Sequence, residues 1–130
     1  MIFTGFSIDC IATLIKQFLM NLSEPVIPFE LFDTHVLPFD DLTSDEKMMH
    51  HVKDLISKLP LAHRVTLRYL MEYLVVVKDH SQVNFMTSAN LGVVFGPNLM
   101  RKKVQDHISL MNTASARIVE FMIDNYSVLF

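Results

Sequence analysis

The stretch TSANLGVVFGPNLM, residues 87–100, opens on two hydroxyl residues suited to capping a helix, then sets Leu91, Val94 and Phe95 at helical spacing. Gly96-Pro97 is the expected stop, since proline has no N–H to give the next turn and glycine accepts helix-ending conformations. Gly92 has no side chain, so a neighbouring helix can come close, at a cost of about 1 kcal/mol relative to alanine. Asn90 does not fit this packing pattern. Near the third helical position its amide can support the cap, or it can face a partner.

The chain on either side reads as further helices. From Ser7 to Leu22, Ile8, Ile11, Ala12, Ile15, Phe18, Leu19 and Leu22 recur at steps of three and four and define one buried face. Asp9, Thr13, Lys16 and Met20 form the opposite stripe, with Lys16 and Met20 adjacent and facing outward. Pro25 and Pro28 forbid a continuous helix and leave an extended turn, then a short helix from about Phe29 closed by Leu37-Pro38. Thr43-x-x-Glu46 has capping-box spacing and leads into a helix with Met48, Val52, Leu55, Ile56 and Leu59 inward, ended by Pro60. A longer helix from about Leu61 to His80 buries Leu67, Leu70, Leu74 and Val77. It shows Arg64, Arg68, Glu72 and Asp79 to solvent, with an Arg68–Glu72 pair one turn apart. The last helix, about Ser109 to Tyr126, buries Ile118, Phe121 and Met122, and Leu129 and Phe130 close the core.

The totals agree with an all-α domain. The 130 residues are 51% hydrophobic, enough for one core without disulfides or metal, and only three glycines and five prolines leave little material for β-turns. Cys10 is the single cysteine, so no intramolecular bridge is possible and a reducing, cytoplasmic setting is the simpler reading. A net charge of −3, with basic residues scattered apart from Arg101-Lys102-Lys103, makes no case for nucleic acid. That basic run reads first as a solvated turn. No segment reaches the roughly 18 consecutive apolar residues of a membrane span.

Self-contained chemistry is not signalled. His50 and Asp54 share a helix face, yet zinc needs three or four converging ligands and no further His or Cys has a suitable spacing, so no metal and no cofactor is expected. Nucleophile-elbow, zincin, phosphate-loop and dinucleotide motifs do not occur. Cys10, among apolar neighbours, reads as half-buried packing. Lys16 and Asn90 are the two polar residues that stand out. From spacing alone, either is also an ordinary surface lysine or a cap-supporting amide.

TSANLGVVFGPNLM resembles the signature helix of the Rho GTPase-activating protein (RhoGAP) domain, N-x-M-T-x-x-N-L-A-x-V-F-G-P-x-L. TLIKQFLMNLSEPVIPFELF, LPLAHRVTLRYLMEYL and RIVEFMIDNYSVLF are similar to three further motifs of that family, in the same order, so the resemblance spans essentially residues 7 to 130. It implies a RhoGAP-like helical bundle, read here as residues 1–130 of a single partial domain missing its N-terminal helices. The family binds the switch regions of a GTP-bound Rho-family small GTPase and speeds GTP hydrolysis. Lys16 and Asn90 then correspond to the lysine and asparagine that face the GTPase.

Four departures from the family pattern stand out. The family's catalytic arginine sits upstream of the lysine helix in a G-I/L-F/Y-R-x-S/P-G setting, and none of the fifteen residues before Lys16 is arginine. An arginine finger is worth about 10³ to 10⁵ in rate, or roughly 4 to 7 kcal/mol. Met20 stands where the first motif has arginine, which takes a cation off the docking stripe. His63 and Phe85 replace the family's usual asparagine and lysine. The resemblance therefore implies a GTPase regulator rather than an enzyme, with a non-catalytic protein-binding module as the alternative. Without the N-terminal helices, Ile8, Ile11 and Ile15 are expected to leave apolar surface. Neither the GTPase nor the oligomeric state is specified by the sequence.

Overall fold

In the computed structural model, residues 8–101 and 113–130 are described, with side chains from Cys10 onward. The order is α1 (Ile8–Met20), three linked helical turns (Phe29–Leu31, Phe32–Val36 and Leu37–Asp41), α2 (Asp45–Ser57), α3 (Leu61–Asp79), α4 (Ser81–Asn84), α5 (Ser88–Leu99), α6 (Ala114–Asp124) and α7 (Tyr126–Leu129). No β-strand occurs among the described residues.

The closest packing joins α5 to α6 and depends on two glycines. A methyl group on Gly92 would overlap the backbone carbonyl of Ala116. One on Gly96 would lie 2.8 Å from the Ala116 nitrogen. The absent side chains let two backbones meet, the role the sequence assigns to Gly92. Leu91, Phe95 and Leu99 of α5 are buried with Ile118, Val119 and Met122 of α6. Leu67, Met71 and Leu74 of α3 complete the centre of the core.

Several boundaries differ from the sequence reading. Gly96-Pro97 does not stop α5, which runs on to Leu99 with Pro97 inside it. A proline within a helix costs about 3 kcal/mol. Burying Leu99 and Met100 returns about 1.5 to 3 kcal/mol each, and the Ile27 N–H donates to the Leu99 carbonyl at 2.9 Å. Val93, whose carbonyl loses its partner, and Pro97 are both exposed, so the break faces water. The cap of α2 is Ser44 rather than Thr43, its Oγ accepting from the Lys47 N–H at 3.3 Å. Leu37-Pro38 does not close the helical segment begun at Phe29, because Pro38 enters the first turn of the next piece, where no N–H is required.

The expected start of the last helix at Ser109 lies outside the described residues. Its end falls at Asp124, with Asn125 capping and α7 following as a separate turn. On α1, Phe18 is 62% exposed rather than inward, and Cys10 is exposed rather than half-buried. Ile11 is buried and Ile15 half-buried, the Ile8 side chain lies outside those described, and the apolar surface described on α1 comes from Leu14, Phe18 and Met20. The Arg68–Glu72 pair is not formed. None of the described helices is long and apolar enough to cross a membrane.

Candidate functional site

α1 packs against α5, which brings the helices carrying the two singled-out polar residues side by side. Ile11 and Leu19 hold α1 to the core, leaving Lys16 half-buried and Met20 58% exposed one turn further on. Leu91 and Phe95 do the same for α5, leaving Asn90 exposed in its first turn. No hydrogen bond joins Lys16 to Asn90, and the Lys16 ammonium has no ion pair among the described residues.

Asn90 also does the local work that spacing allowed it. Thr87 caps α5, its Oγ1 accepting from the Asn90 backbone N–H at 3.2 Å. The Asn90 side-chain Nδ2 donates to the Phe85 carbonyl at 3.1 Å. Phe85 has φ 60°, the left-handed region, and is 76% exposed. Asn84 fixes the same loop from its other end, donating to the Val77 carbonyl at 2.9 Å and accepting from the Met86 N–H at 2.8 Å. The loop before α5 is thus shaped by two asparagine amides.

The other end of the site is held by residues whose roles spacing did not show. Arg101 is half-buried rather than part of a solvated turn. Its Nη2 donates to the Leu22 carbonyl at 3.0 Å, and its guanidinium lies 5.7 Å from the Phe29 ring centre. Lys102 and Lys103 lie outside the described residues. His63 ties the first turn of α3 to the proline-rich loop, its Nδ1–H donating to the Val26 carbonyl at 2.8 Å. Asparagine also carries a side-chain N–H donor, so the exchange keeps a donor at this position. Together with the Ile27–Leu99 bond, these contacts clamp the chain leaving α1 to the end of α5 and set the relative placement of Lys16 and Asn90.

A second polar cluster joins α2 to the turn Phe32–Val36. His35 Nε2 is 2.9 Å from Asp54 Oδ2, and the Thr34 hydroxyl is 2.8 Å from His35 Nδ1. His51 Nε2 reaches the His35 carbonyl at 2.7 Å. The His35 hydrogen bond, with Lys58 Nζ 3.6 Å away, holds the Asp54 carboxyl below the usual carboxylate range. Asp54 is thus engaged by His35 and Lys58, while His50, its neighbour on the helix face, stays exposed. Groups of three or more metal-ligating side chains are not found among the described residues.

The arrangement defines an all-α protein whose candidate residues sit on two adjoining surface helices rather than in an enclosed catalytic cleft. The RhoGAP domain family matches residues 2–104. Human Rho GTPase-activating protein 10 is 36% identical over 126 residues, covering 96% of this chain and 16% of that protein. Rat oligophrenin-1 is 34% identical over 128 residues, covering 98% of this chain and 16% of that one. Among solved structures, the BH domain from GRAF, the GTPase regulator associated with focal adhesion kinase, superposes with a TM-score of 0.83 at 30% identity. That match covers 98% of this chain and 68% of the solved one. The chain belongs to the RhoGAP family, and it spans about a sixth of the length of these two curated relatives.

Proposed function

We propose that this chain regulates a Rho-family small GTPase by docking on the switch regions of its GTP-bound form, with Lys16 and Asn90 in the contact and Met20 beside them. The adjacency of α1 and α5, each firmly seated in the core and each presenting a polar residue at the surface, carries this reading. Lys16 offers a cation that has no ion pair among the described residues to the acidic switch surface. Asn90 offers an amide whose oxygen accepts no hydrogen bond among the described residues while its nitrogen holds Phe85.

One observation favours a binding role over strong stimulation. The four arginines of the chain are Arg64, Arg68, Arg101 and Arg117, all after Lys16 in the sequence. Arg101 is engaged with Leu22, and Arg117 pairs with Asp40 at 2.8 Å. Arg64 and Arg68 lie on α3. In this reading these 130 residues bind the GTPase and orient its switch regions, and large acceleration requires an arginine from outside them.

Single-turnover GTP hydrolysis by several Rho-family GTPases, with and without the chain, separates the two roles. Binding with less than about tenfold stimulation, or 1.4 kcal/mol, is the expected result. Greater stimulation refutes the binding-only role for that GTPase. Undiminished affinity in both Lys16→Ala and Asn90→Ala refutes the placement of the interface.

A further inference from the structure

Helix α3 is apolar on two sides. Leu67, Met71 and Leu74 are fully buried in the core. Leu61, Val65, Tyr69 and Val76 recur at helical steps on the opposite side, within about a quarter of the helix circumference. All four are exposed, Tyr69 at 70% and Leu61 at 68%. A surface helix ordinarily carries polar residues there, so this second stripe is the signature of a helix with a neighbour on each side.

The charges beside the stripe indicate which neighbour fits. Arg64 and Arg68 flank one side of the stripe in the N-terminal half of α3, and Glu72 and Asp79 lie at its margin on that same side in the C-terminal half. All four are exposed. Arg64, Arg68 and Glu72 make no ion pair among the described residues, and Asp79 takes Lys78 Nζ at 3.2 Å on one oxygen, leaving the other open. An edge that is basic at one end and acidic at the other is complementary to itself when reversed. Two such helices packed antiparallel about a two-fold axis bring like edges together and reversed, whereas two-fold parallel packing puts the two charged edges on opposite sides of the pair, where they do not meet.

We propose that the outer face of α3 is a self-association surface on which a second copy of this chain packs antiparallel. Val65 meets Val76 of the second copy and Tyr69 meets its Glu72 region, so the apolar stripe is covered along its length. Arg68 faces Glu72 of the second copy, and Arg64 faces its Asp79. Each contact occurs twice, as a two-fold interface requires. A single helix pair buries less than the 1,200 Å² or so typical of stable complexes, so the association is weak and concentration-dependent.

Sedimentation of the full chain over a wide concentration range tests this. The weight-average mass of the wild type is expected to rise toward about twice the monomer value and stop there. The double variants Arg64→Glu/Arg68→Glu and Glu72→Arg/Asp79→Arg have edges of one sign, so each stays monomeric alone, while an equimolar mixture recovers the dimer. Val76→Lys, with both charge sets intact, also abolishes it, and unchanged far-ultraviolet dichroism shows that each variant is folded. A wild type monomeric throughout, a mass that climbs past two chains, or folded double variants that fail to associate when mixed overturns the proposal.

Discussion

The Asn90 amide donates to the carbonyl of Phe85 at 3.1 Å and so links the candidate contact residue of α5 to a left-handed residue five positions before it. A non-glycine side chain in that conformation costs about 1 to 2 kcal/mol, and an exposed Phe85 side chain recovers little of it by packing. Phe85→Gly is therefore expected to raise stability by about 0.5 to 1 kcal/mol after the entropic cost of glycine, while Phe85→Ala does not. Asn90→Ala removes the donor and lowers stability by about 0.5 to 1.5 kcal/mol. Urea midpoints of the three variants check both statements, and an unstabilised Phe85→Gly counts against strain at this loop.

A side chain at Gly92 meets backbone rather than a movable rotamer. Gly92→Ala gains about 1 kcal/mol of helix propensity, yet it drives a methyl into the Ala116 carbonyl and forces α5 and α6 apart. The separation loosens the fully buried Leu91, Phe95 and Ile118, so a net loss of about 2 kcal/mol or more is expected, within the range of overpacked cores. Thermal unfolding reads it directly. A neutral or stabilising Gly92→Ala contradicts the close approach.

These two sites also show what the sequence reveals and what it hides. Gly92 was legible because a glycine in an apolar helical run has few uses besides close packing. Periodicity likewise located Leu67, Leu74, Val52, Leu55, Ile118 and Met122, which are all buried. It failed at Phe18, which helical phase places beside the buried face but which no described element covers, and at Pro97, where tertiary burial of Leu99 and Met100 outweighs a local break signal. Arg101 and His63 were illegible as clamps because their partners are backbone carbonyls 79 and 37 residues away, which leave no pattern in sequence. Lys16 and Asn90 stood out as polar residues on packing helices, but only the family motifs gave that oddity a partner.

Acid should selectively remove one tie between α2 and the turn at residues 32–36. The folded Asp54 carboxyl is held below its ordinary value of 3.8, first by the His35 hydrogen bond and then by Lys58. A depressed carboxylate contributes stability above the unfolded value and loses it as pH falls through the folded one. The difference in melting temperature between wild type and Asp54→Asn is therefore expected to hold through neutral and weakly acid pH and to close below about pH 4. A gap that is independent of pH down to strong acid would show that the Asp54–His35 contact does not depend on the carboxylate charge.

Met20 provides the most direct test of the docking stripe. It is exposed one turn beyond Lys16, at the position where the first RhoGAP motif carries arginine, so Met20→Arg adds a cation without disturbing the core. One exposed ion pair is worth about 0.2 to 1 kcal/mol, which corresponds to a gain of up to about fivefold in affinity for a GTP-bound Rho-family partner. The gain should shrink as salt rises, because the Debye length falls from about 10 Å at 0.1 M to about 3 Å at 1 M. Lys16→Ala in the Met20→Arg background should take back a comparable amount, the two cations facing the same acidic surface. Titration calorimetry at low and high salt measures both effects. An affinity unmoved by Met20→Arg at low salt, in a partner that Lys16→Ala also leaves unaffected, places the GTPase contact elsewhere on the molecule.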